Sequence, residues 1–270
     1  MHLGCQTIAF GPERLQNDLV GVLDKIAAIG YEGIEIGARF LDLDSPGAFA
    51  KLLQERSLAL AGLHHGANLY APQNLQDLVA HFGRIASFGK SIGCRNVIVS
   101  GASKEGGLGP EEIASQARSL NIIGRACAES GAMALYHNHA WEFMNDGAVI
   151  KEICRLTDPE FVGFAVDLGW ANYAGSDPSK VLLDHRDRVK HVHVRDQKGK
   201  YFVELGHGDI DNEHIVETLR EIGFDGWVVV EMELHAPHYG GRLEPAESVA
   251  IGFGYMRALF AVAGPGRGVA

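Results

Sequence analysis

Residues 220–233, REIGFDGWVVVEME, hold the pattern that decides the fold. A polar, helix-forming stretch stops at Gly223, and an unbroken apolar run begins at Trp227. Glycine just past a helix takes the left-handed conformation that closes it without a steric penalty. A short apolar run without polar alternation fits a strand buried on both faces. The same order recurs in AAIGYEGIEIG (27–37), KSIGCRNVIVSG (90–101) and AESGAMALYHNH (128–139). Repeated helix-to-strand units predict a parallel sheet with helices outside it.

Working outward from these runs, eight strands are predicted, at about 3–9, 32–37, 58–64, 95–100, 132–138, 162–167, 190–194 and 226–231. Helices fill the gaps. Ser45–Pro46, Gly109–Pro110 and Ser176-Asp177-Pro178 each put proline at a first helical position. A helix over 15–29 shows Leu15, Leu19, Val22, Leu23 and Ile26 on one face. The last apolar run, about 246–263, is the eighth helix. Eight strands alternating with eight helices predict the α/β class and a single (β/α)8 TIM barrel over residues 1–270, with no linker or break in composition. An open doubly wound sheet would carry a phosphate-binding glycine fingerprint after its first strand. TIAFGPERL (7–15) is not one.

Bulk properties agree. The chain has 270 residues, 46% of them hydrophobic, which suits one barrel of roughly 250 residues. Lys and Arg number 24 against 34 Asp and Glu, a formal charge of −10. That balance argues against a nucleic acid or an anionic membrane as partner. Apolar stretches such as Gly226 to Val230 are too short to span a bilayer. The opening MHLGCQTIAF has no basic segment followed by a long apolar core, so a cytoplasmic protein without a signal peptide is expected. Cys5, Cys94, Cys127 and Cys154 are scattered and read as free thiols.

Barrel chemistry gathers at the C-terminal ends of the strands. There the third strand offers His64 and His65, the second Glu35, the fifth His137, His139 and Glu142, the sixth Asp167, the seventh His191, His193, Arg195 and Asp196, and the eighth Glu231 and Glu233. Ionisable groups inside apolar strands are costly to bury unless paired or bound to metal. A lone Asp would read as a helix cap and a lone His as a hydrogen-bonded core residue. Four consecutive strands each delivering such a group predict one divalent metal held by Glu142, Asp167, His193 and Glu231. Three carboxylates and one imidazole suit Mn²⁺ best, with Mg²⁺, Co²⁺ or Zn²⁺ as further options. His191 shares the face of His193 but lies deeper, where a satisfied core histidine is the plain reading.

The motifs YHNHAWEF (136–143), VDLGW (166–170), HVHVRD (191–196) with the later GHGDID (206–211), and GFDGWVVVEME (223–233) resemble the sugar phosphate isomerase/epimerase family of xylose isomerase-like TIM barrels. LGCQTIAF (3–10) and GLHHG (62–66) extend the resemblance over essentially the whole chain. It implies metal ligands at Asp167, His193 and Glu231. Many relatives place a glutamate within strand five where this chain has His137, so Glu142 is expected to reach back to the metal, with His137 as the alternative ligand.

The resemblance also implies a small polyhydroxylated substrate whose carbonyl and neighbouring hydroxyl bind the metal. Loss of the adjacent proton would give an enediolate. Glu142, Glu231 and His139 are the expected acid and base groups. His64, His65, His137, Arg195, Glu35 and Trp170 are the expected substrate contacts, with Gln6 beside them. A sugar isomerase or epimerase is the first reading. A dehydratase or lyase is the rival, because the two histidines of YHNH can serve a leaving group. A non-catalytic sugar-binding module and an AP endonuclease-like phosphodiesterase rank below. The latter needs several metals and a basic DNA surface. Family members commonly form dimers or tetramers, so a homo-oligomer is open. The 196–209 segment reads as a hairpin turning at Lys198–Gly199, a lid or a connection.

Overall fold

At Gly30, Gly93, Gly131 and Gly223 the backbone turns to φ of +110°, +87°, +71° and +67°, the left-handed closure that their positions after helices predicted. Each is followed by a strand of a closed parallel barrel. The computed structural model describes residues 1–234, 237–241 and 243–262.

The strands are β1 (His2–Gln6), β2 (Gly33–Gly37), β3 (Ala59–Ala67), β4 (Asn96–Gly101), β5 (Met133–His137), β6 (Val162–Asp167), β7 (Val189–Val194) and, after a small antiparallel pair β8 (Asp196–Lys198) and β9 (Tyr201–Val203), β10 (Trp227–Val230). Their order around the barrel is β1-β10-β7-β6-β5-β4-β3-β2, closed by parallel β1–β2 pairing. The helices are α1 (Pro12–Asn17), α2 (Leu19–Ile29), α3 (Pro46–Gln54), α4 (Leu75–Ser91), α5 (Pro110–Glu129), α6 (Ala140–Leu156), α7 (Leu168–Tyr173), α8 (Pro178–Asp184), α9 (Asn212–Glu221) and α10 (Pro245–Ala261). Among the described residues no helix is long and apolar enough to cross a membrane.

Strand β3 runs three residues past the expected 64, to Ala67, and three further boundaries differ for local reasons. The helix over 15–29 is broken at Asp18, whose carboxylate accepts from Gly21 N at 3.0 Å and so starts α2 afresh. A capping side chain there outcompetes continued helix. The first strand stops at Gln6, because the Gln6 side chain accepts from Ile8 N and winds residues 7–10 into a 3₁₀ turn. The small hairpin pairs Lys198 with Tyr201, so its turn is Gly199–Lys200, one residue later than read.

Most of the apolar core lies between strands and helices, with Leu3, Ile34, Leu63, Val99, Val192 and Val230 on the outer face of the barrel wall. The barrel interior holds an apolar layer of Ile98, Leu135 and Ala165, with Met133 against it. Trp227 fills the floor beneath. A methyl group at Gly33 would come within 2.6 Å of its ring, so the small residue leaves room for the large one. Above the apolar layer the interior turns polar. The chain leaves β5 through α6, which is interrupted by Asn145, Asp146 and Gly147 at φ of +53°, +57° and +69°.

Helix α5 approaches the segment before β6 at Gly124, where a Cβ would stand 2.7 Å from the Phe161 carbonyl oxygen. Alanine gains about 1 kcal/mol of helix propensity over glycine, but a backbone clash of this size costs roughly 1–3 kcal/mol. The clash should win. Gly124→Ala is expected to lower the urea midpoint at unchanged m-value, and a midpoint at or above wild type would show that the helix is free to shift.

Candidate metal centre at the strand ends

Strand alternation places His137 and Tyr136 on opposite faces of β5, and the fate of two expected ligands follows from this. Tyr136 points outward to the helices, where its hydroxyl accepts from Gln116 Nε2 at 2.9 Å and donates to Glu142 Oε1 at 2.8 Å. The other oxygen of Glu142 accepts from His139 N at 2.8 Å and caps the start of α6. Glu142 is therefore a buried helix cap behind the strand and does not reach back to the other three expected ligands. His137, pointing inward, takes its place.

His137, Asp167, His193 and Glu231 each offer a ligand atom, and all four atoms lie within 4.8 Å of one another. All four residues are buried. His193 Nδ1 is 2.5 Å from Glu231 Oε2. His193 Nδ1 and Glu231 Oε2 face each other without hydrogen-bond geometry, and His137 Nδ1 is buried with no partner. Buried polar atoms left unpaired are expensive. Converging lone pairs of two imidazoles and two carboxylates are what a divalent cation satisfies, so these residues fit a metal ion. The set is poorer in oxygen than the one expected, which removes the ground for preferring Mn²⁺.

Two cations balance the acids. Arg195 is 1% exposed, with Nε donating to Asp167 Oδ2 at 2.7 Å and its terminal nitrogens 3.0 Å from Glu231 Oε1 and 3.4 Å from Glu233 Oε2. Its guanidinium lies 5.3 Å from the Trp170 ring and 5.0 Å from that of Phe202. Gly169 of the DLGW motif makes this possible, since a Cβ there would meet the Arg195 side chain at 2.6 Å. His193 is the second cation. Burial disfavours its charged form, but Glu35 and Glu231 outweigh burial and raise its pKa well above the ordinary range. Burial pushes Asp167 up to about 6 despite Arg195. Glu231 is held at about 2 because Arg195 and His193 overcome its burial. Burial, then nearby His64, lowers His139 to about 4, leaving a neutral imidazole at neutral pH.

A cavity of about 160 Å³ opens beside this cluster, lined by Gln6, Thr7, Ile8, Gly37, Arg39, Phe40, His64, Gly66, Ser100, Glu231 and Glu233. It is below the roughly 300–1,000 Å³ of drug-sized sites and admits only a small molecule. A larger groove of about 980 Å³ runs outside the barrel, lined by residues that include Leu75, Val79 and Ile122, but none of the ligand-like clusters lies there.

Of the expected substrate contacts, His64 lines the cavity. His65, the next residue, faces the helices and stacks edge-on to His81 with ring centres 4.5 Å apart, so alternation removes it from the site. Glu35 is fully buried beneath the ligands. Trp170 is 8% exposed and backs Arg195. Ser100 lines the cavity without having been read as a site residue, and Glu233, read as a strand-end carboxylate without a role, lines it too. Ser100 was legible as the one hydroxyl in NVIVSG, and Glu233 as the residue two beyond Glu231 on the same face. Asp196 serves the scaffold. Its carboxylate accepts from the backbone nitrogens of Gln197, Gly206, Gly208 and Ile210 at 2.8–3.1 Å and pins the GHGDID loop. All four cysteines are free.

Burial raises the Glu142 carboxyl to about 8 from an ordinary 4.5. The folded chain therefore binds this proton more tightly than the unfolded one. The stability gained from the proton is full at acid pH and is lost as pH rises through about 8. Glu142→Gln keeps the cap but cannot ionise. Its stability relative to wild type should rise as the pH goes from about 5 to about 9 in urea titrations, and parallel pH curves would refute the assignment.

Comparison with known proteins places these features in context. The family model described as "Xylose isomerase-like TIM barrel" matches residues 23–259. An inosose dehydratase of Geobacillus kaustophilus (strain HTA426) is 29% identical over 245 residues, covering 78% of this chain and 79% of that protein. The fold matches a sugar phosphate isomerase/epimerase from Parabacteroides distasonis ATCC 8503 with a TM-score of 0.78 and 21% identity over 95% of this chain and 94% of the other. It also matches an IOLI protein with a bound zinc atom, with a TM-score of 0.75 and 18% identity over 96% and 98% of the two chains.

Proposed function

The chain belongs to the xylose isomerase-like TIM barrel family, and on that footing we propose that it is a divalent-metal-dependent carbon–oxygen lyase that removes water from a small keto-polyol. His137, Asp167, His193 and Glu231 would hold the ion. When bound, it supplies Lewis acidity to a substrate carbonyl. Two imidazoles and two carboxylates suit Zn²⁺, Co²⁺ or Fe²⁺ as readily as Mn²⁺.

The observation that carries this reading is His137 in the place of the expected strand-five carboxylate. Glu231 and Glu233 both line the cavity, but they come from one chain segment at a spacing of two. Proton exchange between two faces of a carbon needs an acid and a base on opposite sides. Elimination needs a base at the carbon beside the carbonyl and an acid at the leaving oxygen. Here Glu231 accepts the proton as the carbon–hydrogen bond breaks. His64, on another wall of the cavity, gives a proton to the departing hydroxyl, which leaves as water. A carbon–carbon double bond conjugated to the carbonyl remains. His139 adds a second imidazole next to His137, with ring centres 5.2 Å apart. The similarity to inosose dehydratases at 26–29% identity supports the same direction.

The second reading is an isomerase or epimerase on the same site. Glu233 favours it, being a second carboxylate at the cavity wall with a side chain 34% exposed.

A screen of keto-inositols and keto-sugars in deuterium oxide with Zn²⁺, Co²⁺ or Mn²⁺ separates the two. Loss of water with an unsaturated product is expected. Deuterium entering the substrate skeleton without loss of water would instead establish the second reading. Asp167→Ala and His137→Ala should each weaken ion binding and lower turnover by about a hundredfold or more, the upper end for disturbed metal sites. Unchanged ion uptake in both variants would remove the metal centre itself.

A further inference from the structure

Glu35 is the residue on which the polar interior converges, and no metal ligand set of four includes it. It stands on β2, across the barrel from β7, with no exposed surface. Oε2 lies 2.7 Å from His193 Nε2 and 2.8 Å from His191 Nε2. Oε1 accepts from Gln6 Nε2 at 2.8 Å and lies 3.2 Å from His64 Nδ1. His64 Nε2 in turn is 3.1 Å from Ser100 Oγ at the cavity wall. One carboxylate thus touches residues of β1, β3 and β7.

The two nitrogens of an imidazole are not equivalent, and the partner of one fixes the role of the other. With Nε2 turned to Glu35, His193 presents Nδ1 to Glu231 at 2.5 Å, inside the four-residue cluster. We propose that Glu35 is a positioning residue: Oε2 fixes the ring and tautomer of His193 so that Nδ1 faces the ion, while Oε1 holds His64 at the cavity wall. It does not touch substrate. The same carboxylate thereby sets the distance between the metal centre and the imidazole that serves the leaving group. This inference rests on the metal-dependent reading above.

Equilibrium dialysis with Zn²⁺ alone tests it. Wild type is expected to take one ion per chain. Glu35→Gln keeps the shape but loses the charge, and should weaken Zn²⁺ binding by about 10–100-fold, the usual loss when the outer partner of a ligating imidazole is removed, still at one ion per chain. If wild type binds one ion and Glu35→Gln binds it equally well, the positioning role is wrong and the metal centre stands. If wild type takes no ion, the metal-dependent reading falls, and this inference with it. Two ions in wild type and one in the variant would make Glu35 a ligand, with His191 and His193, and overturn the proposal.

A second measurement needs no variant. In ¹⁵N-histidine protein loaded with ¹¹³Cd²⁺, coupling should appear at His193 Nδ1, with the Nε2 proton slow to exchange. Coupling at Nε2 would overturn the proposal.

Discussion

A carboxylate taken out of water inside a barrel has to be met by positive charge or by donors, and the interior of this protein is organised around that requirement. Burying an ion without compensation costs several kcal/mol even after relaxation. Glu35, Asp167 and Glu231 are all buried. Arg195 answers two of them directly, and His193 lies between the other pairings, with one nitrogen toward Glu35 and the other toward Glu231. Other features follow from housing these charges. Gly169 makes space for the guanidinium, and Trp170 and Phe202 cover its face. A divalent ion at His137, Asp167, His193 and Glu231 would take the place of the proton on His193 Nδ1, since a ligating imidazole is neutral, and so stand in for its charge.

The barrel was legible in the sequence because its signals are local. A glycine after a helix, a proline at a helix start and an unbroken apolar run each act within a few residues, and the predicted strands lie within about three residues of those observed. The misses are also local, but they hinge on single side-chain hydrogen bonds. Asp18 restarts a helix and Gln6 winds a strand end into a turn, and neither act leaves a periodic trace.

The site was legible in part. Asp167, His193 and Glu231 could be read because each closes an apolar strand on its inward face. Glu142 could not be placed, because the pull between helix cap and metal is decided by Tyr136, whose outward direction depends on the register of β5. His65 fails for a related reason: adjacent residues on a strand face opposite ways, so GLHHG can deliver only one imidazole to the cavity. Glu35 was read at the right strand end but one layer too high. Its place is set by the histidines of β7 that its carboxylate meets across the barrel, a long-range contact that a pattern of residue types does not encode.

The packed floor of the barrel bears on where the polar groups meet a visitor. Trp227 closes the bottom and the layer of Ile98, Leu135 and Ala165 lies above it, while the converging ligands sit between that plug and the cavity. Of the four converging residues Glu231 alone lines the cavity, while His137, Asp167 and His193 stand behind it, so a small molecule in the cavity meets Glu231 first.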